Sequence, residues 1–547
     1  MGRVKQKLST GATSLRVLGK AGVIRPYGPV TLAKVASAVV RWGTGPAGGF
    51  TSLAARHPDR IGIIDDLGEL TFRQVHERSN ALARELSRLG VREGDGVAIM
   101  CRNHRGFVDA SLATAKLGAD ALYLNTAFAA PQLCEVIERE QPKLVIYDEE
   151  FTELLAAAPI TQRVVAWTDT DGATGGDAAA DGPGGERITL EQLIRSGDVA
   201  DLKPAKRHGR VVILTSGTTG TPKGAPRSEA GIDAAVALLS RLPLQYGWRS
   251  HIAAPLFHTW GYGNLALGML LGTTAVLTRR FDPEQALEIT ERHRCDSMVV
   301  IPVMLQRILR LPEETLDRFR LDTVKLVAAS GSAMPGDLAL AWMDRFGDRL
   351  YNIYGSTEVA YASVANPGDL RVAPSSAGRP PWATVVKILD ESGRPVPAGE
   401  SGRIFVGNGM LFEGYTGGGN KELLDGLMST GDVGRFDVEG RLYVEGRDDE
   451  MIVSGGENVF PKEVEDCLAR HESVVEVAAI GVSDDEFGKR LRAFVVLAEP
   501  VTEDDLKGWV KANLARYKVP RDIVFIDELP RNATGKVIKR ELFDWAV

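Results

Sequence analysis

The stretch LTSGTTGTPKG, residues 214–224, decides how the rest of the chain is read. An apolar run, Val211, Val212, Ile213 and Leu214, leads into it with the composition of a buried strand. Hydroxyls and glycines then alternate through Thr215, Ser216, Gly217, Thr218, Thr219 and Gly220. Glycines let a loop fold its amides inward, and hydroxyls add donors, so such a loop can wrap phosphate oxygens. Lys223 supplies a point charge for the same anion. The P-loop of common NTPases needs Gly-Lys-Ser/Thr, whereas Lys223 stands between Pro222 and Gly224, so this is not that loop.

Four further segments follow: YGSTE (354–358), STGD (429–432), GRDDEMIVSGGENVFPKEVE (446–465) and PRNATGKVIKREL (530–542). In this order the five motifs resemble the adenylate-forming superfamily of acyl-CoA synthetases, adenylation domains and firefly-type luciferases. The resemblance runs from about residue 49 to the C-terminus. It implies a carboxylic acid and ATP giving acyl-AMP and pyrophosphate, after which a thiol displaces AMP. Attack on the α-phosphate brings two anions together, so fixed positive charge, Mg²⁺ and oriented donors are expected.

By this resemblance Lys223 and the hydroxyls of 215–219 hold the β- and γ-phosphates. Glu358 ligates Mg²⁺, with Thr215 beside it. Tyr354 and Gly355 lie against adenine, Thr357 meets the α-phosphate, and Ser330, Gly331 and Asn352 surround the base. Asp432 accepts from the ribose hydroxyls, with Arg447 as a second contact. Lys536 is the principal catalytic candidate, since an ammonium on a flexible stem reaches both the acid and the α-phosphate. Asp449 is the implied hinge about which the terminal domain exchanges Lys536 for the loop at 454–459. Gly455 and Gly456 in that loop admit the pantetheine of CoA. Glu450 stands where the family more often has aspartate, and Leu427 where tryptophan is common.

At 547 residues the chain exceeds a single core. The alternation of short apolar runs with amphipathic stretches predicts an α/β fold. The expected arrangement is a large N-terminal domain of parallel, αβ-layered sheets (49–448) carrying a small β-subdomain (384–443). A small, mobile α+β C-terminal domain (449–547) follows. Strands are expected at 62–64, 97–100, 121–125, 143–147, 299–303, 326–330 and 350–353, and helices at 70–89 and 108–117. The Gly/Ala/Asp-rich stretch 169–186 reads as a loop. Residues 1–48 form a basic extension: it holds eight Lys and Arg, with apolar residues between them, and the first acid of the chain is Asp59. Such a segment suits an anionic membrane surface.

A net charge of −7 argues against a general nucleic-acid partner. Four scattered cysteines indicate neither a zinc site nor a disulfide framework and fit a cytoplasmic location. Near the acid, PLFHTWGY (255–262) matches the segment lining the family's acyl tunnel. His258 is a further catalytic candidate, Trp260 a gate and Gly261 a tunnel residue. Gly263, Gly268 and Gly272 leave room beyond, which points to a medium- or long-chain fatty acid. Alternatives are an acyl-AMP ligase loading a carrier protein and an aryl- or small-acid CoA ligase. An intact SGGEN loop, with no carrier domain after Val547, makes free CoA the expected acceptor. Oligomeric state is left open, a homodimer included. No GxSxG elbow occurs, which disfavours a serine hydrolase.

Overall fold

The protein is described here by a computed structural model covering residues 2–169, 188–214, 223–227, 231–448, 452–454, 457–484, 488–514, 518–532, 535–543 and 545. Among them the strands form four sheets. One sets Leu350–Tyr354, Leu326–Ala329, Ser297–Val300, Arg249–Ile252, Thr274–Leu277 and Ile61–Asp65 in parallel, with antiparallel edges at Ser363–Ala365 and Gly68–Thr71. Another orders Arg163–Trp167, Leu144–Asp148, Gly96–Met100, Asp120–Tyr123 and Val211–Leu214 in parallel, ending on antiparallel Gly224–Arg227. Ser297–Val300, Leu326–Ala329 and Leu144–Asp148 are buried at every position, as strands with helices on both faces must be. The large part is thus mixed at its edges, where short returns need no crossover helix.

Local chemistry moves several expected boundaries. The helix expected at 70–89 is Phe72–Arg88, because Leu70 and Thr71 finish the edge strand. Thr71 then caps it: its hydroxyl accepts from Gln74 N at 3.2 Å, and Gln74 Oε1 accepts from Thr71 N at 2.8 Å. The strand expected at 299–303 ends at Val300, since Pro302 opens the helix Pro302–Leu309. The helix expected at 108–117 starts at Arg105, where His104 Nδ1 accepts from Gly106 N at 3.0 Å.

The β-rich segment forms an antiparallel sheet of Val385–Leu389, Gly402–Gly407, Leu427–Phe436 and Leu442–Arg447, with Leu423–Leu424 on its edge. The smaller C-terminal part pairs Val474–Asp484 with Gly488–Leu497 and packs Pro461–Leu468 and Glu503–Asn513 around its own core. At the other end, α1 (Gly2–Lys20), α2 (Pro29–Trp42) and α3 (Pro46–Arg56) precede the first strand, and α3 runs across the expected boundary at residue 49. A Cβ on Gly48 would lie 1.9 Å from Gly43 O, so the reversal between α2 and α3 needs glycine there. Most of the expected loop at 169–186 lies outside the described residues, and no helix among them is long and apolar enough to cross a membrane.

His251 sits fully buried in the central strand Arg249–Ile252. Thr290 Oγ1 donates to Ala286 O at 2.7 Å, so His251 Nδ1–H donates to Thr290 at 2.9 Å. Burial pushes the imidazole down to about 4. The unfolded chain therefore binds more protons between about pH 6.5 and 4, and stability is full above that window and falls through it. His251→Gln should remove on the order of 3 kcal/mol of that acid-induced loss. A Tm series from pH 7 to 4 checks this: an unchanged slope in the variant contradicts it.

Candidate active site

The carboxyl ends of the parallel strands bring the motifs together, as open α/β sheets do. Leu326–Ala329 ends at Ser330 and Gly331, Leu350–Tyr354 runs into YGSTE, and Val211–Leu214 ends at the start of the hydroxyl-rich loop. One cavity of about 1710 Å³ is bordered by Lys223, His258, Ser330, Gly331, Asn352, Tyr354, Gly355, Thr357, Glu358, Asp432, Arg447 and Lys536. That volume exceeds the roughly 300–1,000 Å³ of a drug-sized site, leaving room for several reactants. Thr215, Ser216, Gly217, Thr218, Thr219 and Gly220, with Asp449, Gly455 and Gly456, lie outside the described residues.

At the sugar end, Tyr354 Oη donates to Asp432 Oδ2 at 2.5 Å, and Arg447 Nη1 lies 3.5 Å from Asp432 Oδ1. Burial raises the Asp432 carboxyl, while Tyr354, Arg447, Lys536 and Lys421 draw it down. Burial, then Asp432, pushes the Tyr354 phenol up, so it remains a donor. A carboxylate offers about four lone-pair positions, so Asp432 keeps acceptor capacity for a vicinal diol. Ser330 Oγ donates to Ile353 O at 2.7 Å, tying together the two strand ends.

Glu358 is buried at the cavity wall, and Tyr415 Oη donates to its Oε1 at 2.6 Å. Beside it Arg227 donates from Nε to Met410 O at 3.0 Å and from Nη2 to Thr357 O. Burial pushes Arg227 down to about 10, against the pull of Glu358 and Glu413. A hard carboxylate with one oxygen oriented by a phenol suits Mg²⁺ among phosphates. Lys223 Nζ lies 5.4 Å from the centre of the Tyr415 ring. Tyr415 and Arg227 escaped the sequence reading: neither belongs to a motif, and only the fold brings them to Glu358.

Lys536 arrives from the C-terminal part. A tight turn presents it: Asn532 N donates to Lys536 O, and Lys536 N to Asn532 Oδ1, each at 2.9 Å. Gly535 has φ +73°, and a Cβ there would lie 2.4 Å from Val303 Cγ1 and 3.2 Å from Ile301 Cδ1. Glycine is therefore needed twice, for the turn and for the approach. Around it Gln306 Nε2 donates to Val475 O at 3.3 Å, and Arg531 pairs with Glu476 at 2.9 Å. The Lys536 charge acts on both His258 and Asp432, which locates it between the two ends of the cavity. Burial, then Lys536, pushes His258 down to about 4, so its imidazole is neutral at ordinary pH.

On the acid side, Trp260 Nε1 donates to Val300 O at 2.9 Å, so the proposed gate is pinned to a strand end. Gly261 is not on the cavity wall: a Cβ there would sit 2.2 Å from Pro255 O, and the residue serves close helix packing. Of the three glycines expected to leave room, Gly263 alone borders the cavity with open space around it. Gly268 packs on Thr273, and Gly272, at φ +59°, ends the helix Thr259–Leu271. Elsewhere, Cys101, His104 and Asp148 cluster with metal-like spacing. Both ring nitrogens of His104 are already engaged, with Gly106 N and, at 2.8 Å, with Asp148 Oδ1, so the cluster is a buried helix cap.

The sequence matches the AMP-binding enzyme family over residues 50–416 and the AMP-binding enzyme C-terminal domain over 463–536. Among curated proteins it is similar to a feruloyl-CoA synthase from Amycolatopsis, 33% identical over 86% of this chain and 93% of that one. A 2-succinylbenzoate–CoA ligase from Bacillus licheniformis is 33% identical over 89% of this chain and 97% of that protein. Among solved structures, an anthranilate CoA ligase in complex with anthranoyl-AMP superposes with a TM-score of 0.80 at 26% identity, covering 91% of this chain and 96% of that one.

Proposed function

The chain belongs to the AMP-binding enzyme family and is an AMP-forming, ATP-dependent acid–CoA ligase working through acyl-AMP, and we propose that its acid is an apolar monocarboxylic acid. Aryl acids are the leading class, because similar proteins include a feruloyl-CoA synthase and an indoleacetate–CoA ligase, both named for aryl monocarboxylic acids. This replaces the fatty acid as first choice. A medium- or long-chain fatty acid is the second reading, favoured by one observation: the cavity runs on past His258 to α2.

The position of Lys536 carries the mechanism. On this reading its ammonium stands where the acid's carboxylate meets the α-phosphate, offsets their repulsion and stabilises the charge that develops in transfer. His258 is neutral and orients the acid without adding charge. Asp432, held by Tyr354 and Arg447, takes the ribose, and Lys223 takes the outer phosphates. Glu358, with Thr215, would hold Mg²⁺, which when bound screens the phosphate charge. Asp449 is the proposed hinge that withdraws Lys536 and brings Gly455 and Gly456 to CoA.

Two measurements test this. A panel of aryl, short and long acids, assayed for AMP release with and without CoA, should show release dependent on CoA. Release that ignores CoA and needs a carrier protein would replace the ligase with a carrier-loading enzyme. Lys536→Ala should cut pyrophosphate exchange by about 10²–10³-fold or more while thioester formation from supplied acyl-AMP survives. Equal loss of both half-reactions in a folded variant contradicts the assigned role.

We also propose that the outer side of α2 touches anionic membranes. Val30 and Val40 are 70% and 83% exposed, with Lys34 and Arg41 on the same helix. Each cation near such a surface contributes about 1 kcal/mol. Val30→Glu with Val40→Glu should weaken cosedimentation with phosphatidylserine vesicles and spare turnover of a soluble short acid. Unchanged sedimentation would rule the contact out.

A further inference from the structure

The apolar end of the cavity is built partly from a segment that precedes the family match, which begins at residue 50. Leu32, Val35, Val39 and Trp42 of α2 all border it. Their spacing of three, four and three residues puts them along one side of the helix. Across the gap stand Leu238, at the end of the helix Ile232–Leu239, and Leu270 of the helix Thr259–Leu271. Leu32 and Val39 stay 50% and 41% exposed although they line a cavity, and nothing lies within 4 Å of a Cβ placed on Gly263. This is an apolar gap that protein atoms do not fill, continuous with Lys536 and His258.

The segment is anchored at both ends. Before α2, Leu18 and Ala21 pack into a core with Ala234, Val236 and Ala237, and Tyr246 N donates to Ala21 O at 2.8 Å. After it, Trp42 is buried and Gly43 turns the chain into α3. Arg25, a nearby charge, is engaged by the Tyr246 ring at 4.1 Å and by the Gly22 carbonyl at 3.0 Å. Arg41 of α2 also borders the cavity, so the far wall presents hydrocarbon from Leu32 to Val39 and a cation beside Trp42.

We propose that α2 determines specificity: its inward side receives the distal apolar tail of the acid and sets the tail length the enzyme accepts. The preferred acids then carry a tail longer than a single ring, whether alkyl or aryl-alkyl. This rests on the ligase reading above and deepens it. Residues 32, 35 and 39 are selectors of tail length and take no part in the chemistry.

The test uses the full-length protein and a series of alkyl esters of AMP, from butyl to hexadecyl, titrated calorimetrically. Wild-type affinity should rise by up to about fourfold per methylene until the tail reaches α2. Val35→Trp should end that rise at a shorter tail, weakening the hexadecyl ester at least tenfold and leaving the butyl ester within twofold. Leu32→Trp, at a half-exposed position where folding is not at stake, should shift the break in the same direction. Identical length profiles in wild type and both variants overturn the proposal, as does equal loss of butyl and hexadecyl binding. Failure of the ligase reading would show separately, as absence of CoA-dependent AMP release from every acid by the wild type.

Discussion

The approach of Gly535 to Ile301 and Val303 is the contact on which the assembled site depends. The large part supplies an anionic pocket wall in Asp432 and Glu358, together with Lys223 and Arg447. The cation between its two ends comes from a separate small core, and it reaches the pocket only where the peptide at 535 can pass within ordinary contact of Val303. A methyl group there would meet Val303 Cγ1 at 2.4 Å. Among the described residues, the polar contacts that cross to the small part near it are few: Gln306 Nε2 donates to Val475 O at 3.3 Å, and Arg310 pairs with Glu476 at 3.6 Å, a half-exposed pair of the kind that contributes about 0–1 kcal/mol. A seat set by steric fit and weakly held suits the proposed withdrawal of Lys536 about Asp449.

The electrostatics follow from that seat. His258 loses its proton affinity to burial and to Lys536 together, and Asp432 is pulled in opposite directions by burial and by four polar neighbours. Arg227, half-buried at the same cavity and donating to main-chain carbonyls, compensates the Glu358 carboxylate. The pocket therefore holds alternating charges fixed before any reactant arrives, which is the condition for stabilising charge that develops in transfer.

The layered α/β architecture and the site motifs were legible because each is written locally: apolar runs for strands, and contiguous segments such as YGSTE and STGD for the site. Tyr415 and Arg227 were not, since their meaning lies in what they touch across long sequence separations. Gly261, Gly268 and Gly272 were misread for a related reason. A missing side chain signals close approach of something, and the sequence does not say whether that is a ligand or Pro255 O, Thr273 and a helix end. The choice of acid suffered most, because the fatty acid was inferred from those glycines, while the similar proteins are named for aryl acids.

α2 lies outside every sheet, and none of the residues assigned to the nucleotide or to the turn presenting Lys536 belongs to it. Its inward side is bounded by a cavity, not by close-packed core, so larger or smaller side chains there meet little of the penalty that interior substitutions carry. Volume changes at 32, 35 and 39 are thereby decoupled from the folding of the catalytic body. A lineage carrying this segment could drift in the acids it activates through a dozen residues of one helix, with the reaction machinery left untouched. The same separation makes α2 a natural place to diversify a library.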